Sequence, residues 1–283
     1  MDPVADVKFK LKIRVPGWAR NQVLPGDLYT FADNKVPEVT ISLNGEMMDY
    51  KLSKGYAVIE NTWKKGDKVN IEFKMEVRKI VADDRVEADK GKIAIERGPI
   101  VYCAEWPYAK GNKVLNLLFD ENENYTASFN DTLFNGVEII TTMAQPARYN
   151  EKSSVERGAK QETLLIPYYL WNNKGPGEMT VWLPVSDNTV RPTPLPSIAS
   201  KSRVTASVPT KALLAVNDQY EPKSSIDRSW PYYHWWPKNN SWQWIQYDFD
   251  KMEENLVIQK FIGLMTVHLE VVVFQLIGRF NTK

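Results

Sequence analysis

The chain has 283 residues, 43% of them hydrophobic and 12% aromatic, enough for two domains or three small ones around a sizeable core. Lysine and arginine number 36 against 35 aspartate and glutamate, so there is no basic stripe and no electrostatic case for nucleic acid. One cysteine, Cys103, excludes an intramolecular disulfide framework and a cysteine-based zinc cluster, and two histidines, His234 and His268, leave little for a histidine metal site.

The N-terminus, MDPVADVKFKLKIRV, has no basic stretch followed by an apolar one and does not read as a signal peptide. It runs almost directly into a strand, as if the reading frame opened inside a larger protein. Lys8 to Val15 alternates polar and apolar with period two, the pattern of a half-buried strand, and Pro16-Gly17-Trp18 ends it. Val39 to Glu46 alternates again, and its Asn44-Gly45 pair is a hairpin signal. Tyr56 to Glu60 follows, then Trp63 and a Lys65-Gly66-Asp67 turn. In KVNIEFKMEV, Val69, Ile71, Phe73, Met75 and Val77 share one face. KIAIERGPIVYCAEW gives two more strands broken at Gly98-Pro99. Short strands separated by turn chemistry predict an antiparallel sandwich, with no helix-period segment in the first hundred residues.

A second β-rich block starts near Lys113 and includes GVEIITTMAQPARY, TLLIPYYLW and EMTVWLPV. Ser186 to Ser202 is rich in Pro, Ser and Thr and reads as a linker. A third block begins near Val204 and carries the aromatic run DRSWPYYHWWPKNNSWQWIQYDF. The last stretch, from Asn255, is apolar but broken by Lys260, His268, Glu270 and Gln275. It never approaches the 18 or so uncharged residues of a membrane span. The expected fold class is all-β: two consecutive antiparallel β-sandwich domains, at 7–106 and 107–186, then a linker at 187–203 and an incomplete jelly-roll module at 204–254.

The order KLKIRVPGWA, VTISLNGE, Gly55-Tyr56 with Trp63 and Gly66-Asp67, IAIERGPIVYCAE and IPYYLWNNKGPGEMTVWLP resembles the C-terminal β-sandwich region of the β-L-arabinofuranosidase-like glycoside hydrolases of family 127. The likeness covers about residues 7 to 185. It implies a large (α/α)6 barrel ahead of the sandwiches, holding a zinc-bound cysteine nucleophile and an arabinofuranose cleft. This chain has neither the cysteine cluster nor the helical repeat of such a barrel. The resemblance therefore implies a non-catalytic tail whose partner is the barrel. It places zinc only there and assigns no cofactor or metal to these residues. The parent would act on plant glycans outside the cytoplasm, in the periplasm or beyond the cell.

Three residues invite a catalytic reading. Glu178 follows the Gly-Pro-Gly turn, but most glycosidases need two carboxylates roughly 5–9.5 Å apart, and only Glu96 is a tempting partner in sequence. The expectation is that Glu178 hydrogen-bonds loop backbone and that Ile166–Pro184 is an architectural corner facing the barrel. Cys103 lies in an alternating strand without a metal, histidine or helix N-terminus beside it in sequence, so it reads as a core thiol.

In the third block, ASKSRVTAS through WIQYDF resembles the first half of a discoidin-like (coagulation factor 5/8 C-type) module, which often binds sugars through loop aromatics. Trp230, Tyr232, Tyr233, His234, Trp235 and Trp236 are the carbohydrate-binding candidates. The alternative is that Trp235, Trp236 and Trp244 cap the core while Trp230 and Tyr232 pack in the loop. Read one nucleotide earlier, suitable codons for Lys260 to Gly278 permit VYWFDDGPSGGCRFPTDW, which continues the module. Residues 255–283 are accordingly expected to be a frameshifted tail, a point tested by sequencing the underlying DNA.

Overall fold

The computed structural model describes residues 1–175, 177–220, 232–233 and 244–249. Among them the helical turns are short 3-10 pieces, and the named strands pair antiparallel, as the alternating patterns require. They fall into two units, 1–147 with 155–192, and 148–154 with 193–283.

In the first unit the chain lays down β1 (Val7–Arg14), β2 (Tyr29–Phe31), β3 (Val39–Leu43), β4 (Glu46–Met47), β5 (Lys51–Ser53), β6 (Tyr56–Trp63) and β7 (Val69–Phe73). All but β2 form two three-stranded sheets, β1-β6-β5 and β4-β3-β7. β1 runs along all of β6, from Val7 opposite Trp63 to Arg14 opposite Tyr56. Period-two alternation sends Leu11, Ile13, Ala57, Ile59 and Trp63 from one sheet, and Ile41, Val69, Ile71 and Phe73 from the other, into one core. Asn44 and Gly45 both have positive φ, 51° and 92°, as a two-residue primed turn between β3 and β4 demands. Asn44 also donates its amide to Asp67 Oδ1 at 2.9 Å, and Asp67 Oδ2 accepts the Lys64 N–H at 2.8 Å. The hairpin and the Lys65-Gly66-Asp67 turn are thereby tied together.

The second sandwich uses β8 (Val77–Ala82), β9 (Lys92–Arg97), β10 (Ile100–Glu105), β11 (Leu117–Phe119), β12 (Thr126–Asn130), β13 (Val137–Tyr149), β14 (Val155–Arg157), β15 (Gln161–Pro167), β16 (Met179–Thr180) and β17 (Leu183–Pro184). The main path is β11-β13-β15-β10-β9-β8-β2, so β2, from the first stretch of chain, forms its edge. Ile93, Ile95, Tyr102, Ala104, Leu117, Phe119, Ile140, Leu165 and Leu183 fill the core on one face. On the other face Ile80 and Ala94 pack with Phe31 and with the half-buried Trp18, Tyr29 and Trp182.

This pairing moves the expected boundary. The alternating run from Val69 to Val77 reads as one strand, yet it is two. Val69, Ile71 and Phe73 enter the first core, whereas Val77 packs against the second. Because β8, β9 and β10 pair with one another and β10 pairs with β15, residues 77–106 lie in the second sheet, not the first. The 187–203 segment is not a plain linker either. Val190 is buried with Leu118 and Ala147, and the Arg191 N–H donates to the Leu115 carbonyl at 3.0 Å.

The second unit contains β18 (Arg203–Ala206) paired with β19 (Ile245–Asp248). The Tyr247 hydroxyl donates to the Val216 carbonyl at 2.9 Å, and Arg203 pairs with Asp248 at 3.1 Å. The rest of the expected jelly roll, and the 255–283 tail, lie outside the described residues.

Candidate functional site

The corner at Ile166–Pro184 shows where its carboxylate goes. β15 ends at Pro167, a 3-10 turn follows at Tyr168–Leu170, and the chain returns through Gly175 to β16. Asn172 takes the left-handed conformation, φ 68°, and Gly175 has φ 95°. Glu178 Oε2 accepts the backbone N–H groups of Val114 and Leu115 at 2.8 and 3.1 Å. The Trp106 N–H donates to the Glu178 carbonyl at 2.9 Å, and the Trp106 indole N–H reaches the Gly175 carbonyl at 3.4 Å. Any Cβ at Gly177 would overlap the Trp106 indole, which explains the glycine there. Glu178 is thus the backbone-bonded carboxylate expected of a corner. Glu178→Ala should leave two amides unpaired and cost about 1–3 kcal/mol, and Glu178→Gln should cost less because an acceptor oxygen remains. Urea midpoints of the two variants check this order.

A second carboxylate, Glu105, is 1% exposed and accepts the Asn172 N–H at 3.0 Å through Oε1. The sequence reading passed over it. The signal was present: in VYCAE, the alternation that puts Tyr102 and Ala104 into the core puts Cys103 and Glu105 on the opposite face, where burial is also complete.

Glu96 does not join Glu178. It lies on β9 directly opposite Arg78 on β8 and Val101 on β10. Burial pushes its carboxyl up to about 7, and Arg78 pulls the other way. Arg78 is itself 5% exposed. Its guanidinium donates to Asn21 Oδ1 at 2.6 Å, to the Asp33 carbonyl at 3.4 Å and to the Asp33 carboxylate, and it sits 3.5 Å from the centre of the Phe31 ring. These groups join the 18–33 segment to the second sheet. Partial burial works to raise the Asp33 carboxyl. The hydrogen bonds from Arg78 and the Lys35 amide, with their charges, outweigh it and hold Asp33 below the ordinary aspartate value.

Cys103 is fully buried, and burial together with the Glu105 charge pushes its thiol up to about 12, the reverse of an activated nucleophile. Among the described residues no three His, Cys, Asp or Glu side chains converge as metal ligands would. Nor is any helix among them long and apolar enough to cross a membrane. Of the carbohydrate-binding candidates, Trp230, His234, Trp235 and Trp236 lie outside the described residues. Tyr232 is 48% exposed, and the Tyr233 hydroxyl donates to the Val208 carbonyl at 2.7 Å.

Two family models match these sheets. One, described as the GH127 middle domain of β-L-arabinofuranosidase, covers residues 2–75. The other, the glycoside hydrolase family 127 C-terminal domain, covers 77–184. Their junction coincides with the change of sheet between β7 and β8. These residues belong to glycoside hydrolase family 127. A non-reducing end β-L-arabinofuranosidase of Bifidobacterium longum subsp. longum is 26% identical over 193 residues, 62% of this chain and 26% of that protein. A solved GH127 β-arabinofuranosidase is 40% identical with a TM-score of 0.61, over 66% of this chain and 29% of that one. A solved GH127 β-L-arabinofuranosidase from Geobacillus stearothermophilus T6 is 32% identical with a TM-score of 0.54, over 65% and 27%. The chain therefore spans between a quarter and a third of the length of these family 127 relatives.

Proposed function

We propose that this chain is the non-catalytic, sheet-built part of a β-L-arabinofuranosidase-like hydrolase of family 127, acting with an (α/α)6 catalytic barrel on arabinofuranosyl glycans. The observation that carries the reading is the commitment of its buried and half-buried carboxylates. Glu178 accepts the backbone amides of Val114 and Leu115, Glu105 accepts that of Asn172, and Glu96 faces Arg78 across a strand pair. Carboxylates held this way position chain and are poorly placed for proton transfer to a sugar. Residues 204–254 would extend the part as a discoidin-like module.

A carbohydrate-binding role for the 230–236 aromatic run is the competing reading, and the exposed Tyr232 ring favours it. Calorimetric titration with arabinan oligosaccharides separates the two. The supporting role predicts no saturable binding. Saturable binding that Trp235→Ala and Trp236→Ala abolish would establish the binding role instead.

A further inference from the structure

Three large aromatics stand out of the corner. Tyr168 is 44% exposed, Tyr169 67% and Trp171 42%, although they adjoin one of the best-buried parts of the second sheet. Tyr168 and Trp171 stack with ring centres 6.0 Å apart and planes within 10° of parallel. Their support is fixed from beneath. The Trp171 N–H donates to the Tyr168 carbonyl at 3.1 Å, the Asn172 N–H to buried Glu105 at 3.0 Å, and the Asn173 amide to the Leu170 carbonyl at 2.7 Å. A partner that covers the rings pays little entropy to order them.

Resting on the supporting role argued above, we infer that Tyr168, Tyr169 and Trp171 form the seat for the protein region that precedes the middle domain in full-length family 127 enzymes. Two observations select a protein partner. The matched domains are the middle and C-terminal ones, and the matched part is only 26–29% of each relative, so a large region of those proteins exists to be seated. Glu105 Oε1 and the Asn173 amide bind the corner's own backbone, so the rings rather than these groups are what the turn offers a partner. Rigid tyrosine and tryptophan anchors are also the residues in which interface binding energy concentrates.

The test mixes this chain with the N-terminal region of the Geobacillus stearothermophilus relative, produced without its own matched part, and measures complex formation by sedimentation. The wild-type chain should bind. The triple variant Tyr168→Ser, Tyr169→Ser, Trp171→Ser should bind on the order of tenfold or more weakly. Phe129→Ser, which alters an exposed aromatic on β12, should bind like wild type. Equal binding by the triple variant overturns this inference and leaves the supporting role standing. No complex with the wild-type chain overturns both. Binding of arabinan oligosaccharides that only the triple variant loses would make the patch a glycan platform and overturn the inference. If the triple variant melts early, Tyr169→Ser alone carries the comparison, since that ring is the most exposed of the three.

Discussion

Trp63→Ala should destabilise the first sandwich by about 3–5 kcal/mol, the range for removing a large aromatic from a packed core. Trp63 is fully buried at the end of β6, among Ile41, Ile59 and Ala57, with its ring 5.6 Å from that of Phe9. Its indole N–H donates to the Phe9 carbonyl at 3.1 Å, so the side chain both fills the core and ties β6 to β1. Trp63→Phe keeps most of the apolar contact and loses that bond, so it should cost about 1–2 kcal/mol. The damage should also reach the second sandwich. The stretch between β1 and β3 supplies its edge strand through Tyr29–Phe31, and Trp18 packs on both cores. Denaturant unfolding checks this: the midpoint should fall in the order wild type, Trp63→Phe, Trp63→Ala.

Arg78→Leu should cost about 3–5 kcal/mol, because one partner of a buried charged cluster is removed and the others stay. Asp33 and Asn21 lose their donor, Phe31 loses its cation, and Glu96 keeps a buried carboxyl without the charge opposite it. Arg78→Lys should recover only part of the loss, since the shorter lysine stops one bond short of Nη2, the nitrogen that reaches both Asn21 and Asp33, and brings no planar guanidinium to the Phe31 ring. The pH dependence identifies the cause. The Glu96 carboxyl titrates near 7 in the fold against an ordinary 4.5, so the folded state binds the proton more tightly. Its contribution is fully present below the ordinary value and is lost as pH rises through about 7. Glu96→Gln should flatten that window. Arg78→Leu should carry the decline to higher pH, because the group that lowers the Glu96 pKa is gone. Asp33 acts in the opposite sense and further down the scale: its depressed carboxyl contributes stability that is lost only as pH falls through its folded value.

Much of this could be read from the residues. Asn44-Gly45 marked a hairpin, because so few residues suit positive φ in a two-residue turn, and Gly98-Pro99 marked the break between two strands. Glu178 was placed as a backbone-bonded corner carboxylate because a lone acid beside a Gly-Pro-Gly turn had no sequence partner for glycosidic chemistry. The boundary between the sandwiches was harder. Alternation from Val69 to Val77 continues through the junction, since a period-two pattern states that side chains alternate but not which core receives them. The Asn21–Asp33–Arg78–Glu96 cluster was hidden for a related reason. Its members come from two loops and two strands, and only the pairing of β8 with β9 and the return of β2 to the second sheet bring them together. Arg78 did leave one trace: it alternates with Ile80 on the face of β8 that packs against Phe31, where a charge needs partners.

Hydrolysis of a chromogenic β-L-arabinofuranoside by the purified chain tests most directly whether these sheets carry chemistry or support it. The account predicts no turnover above buffer at any substrate concentration. Saturable turnover by the wild-type chain, abolished in Glu96→Gln or Glu178→Gln, would contradict it.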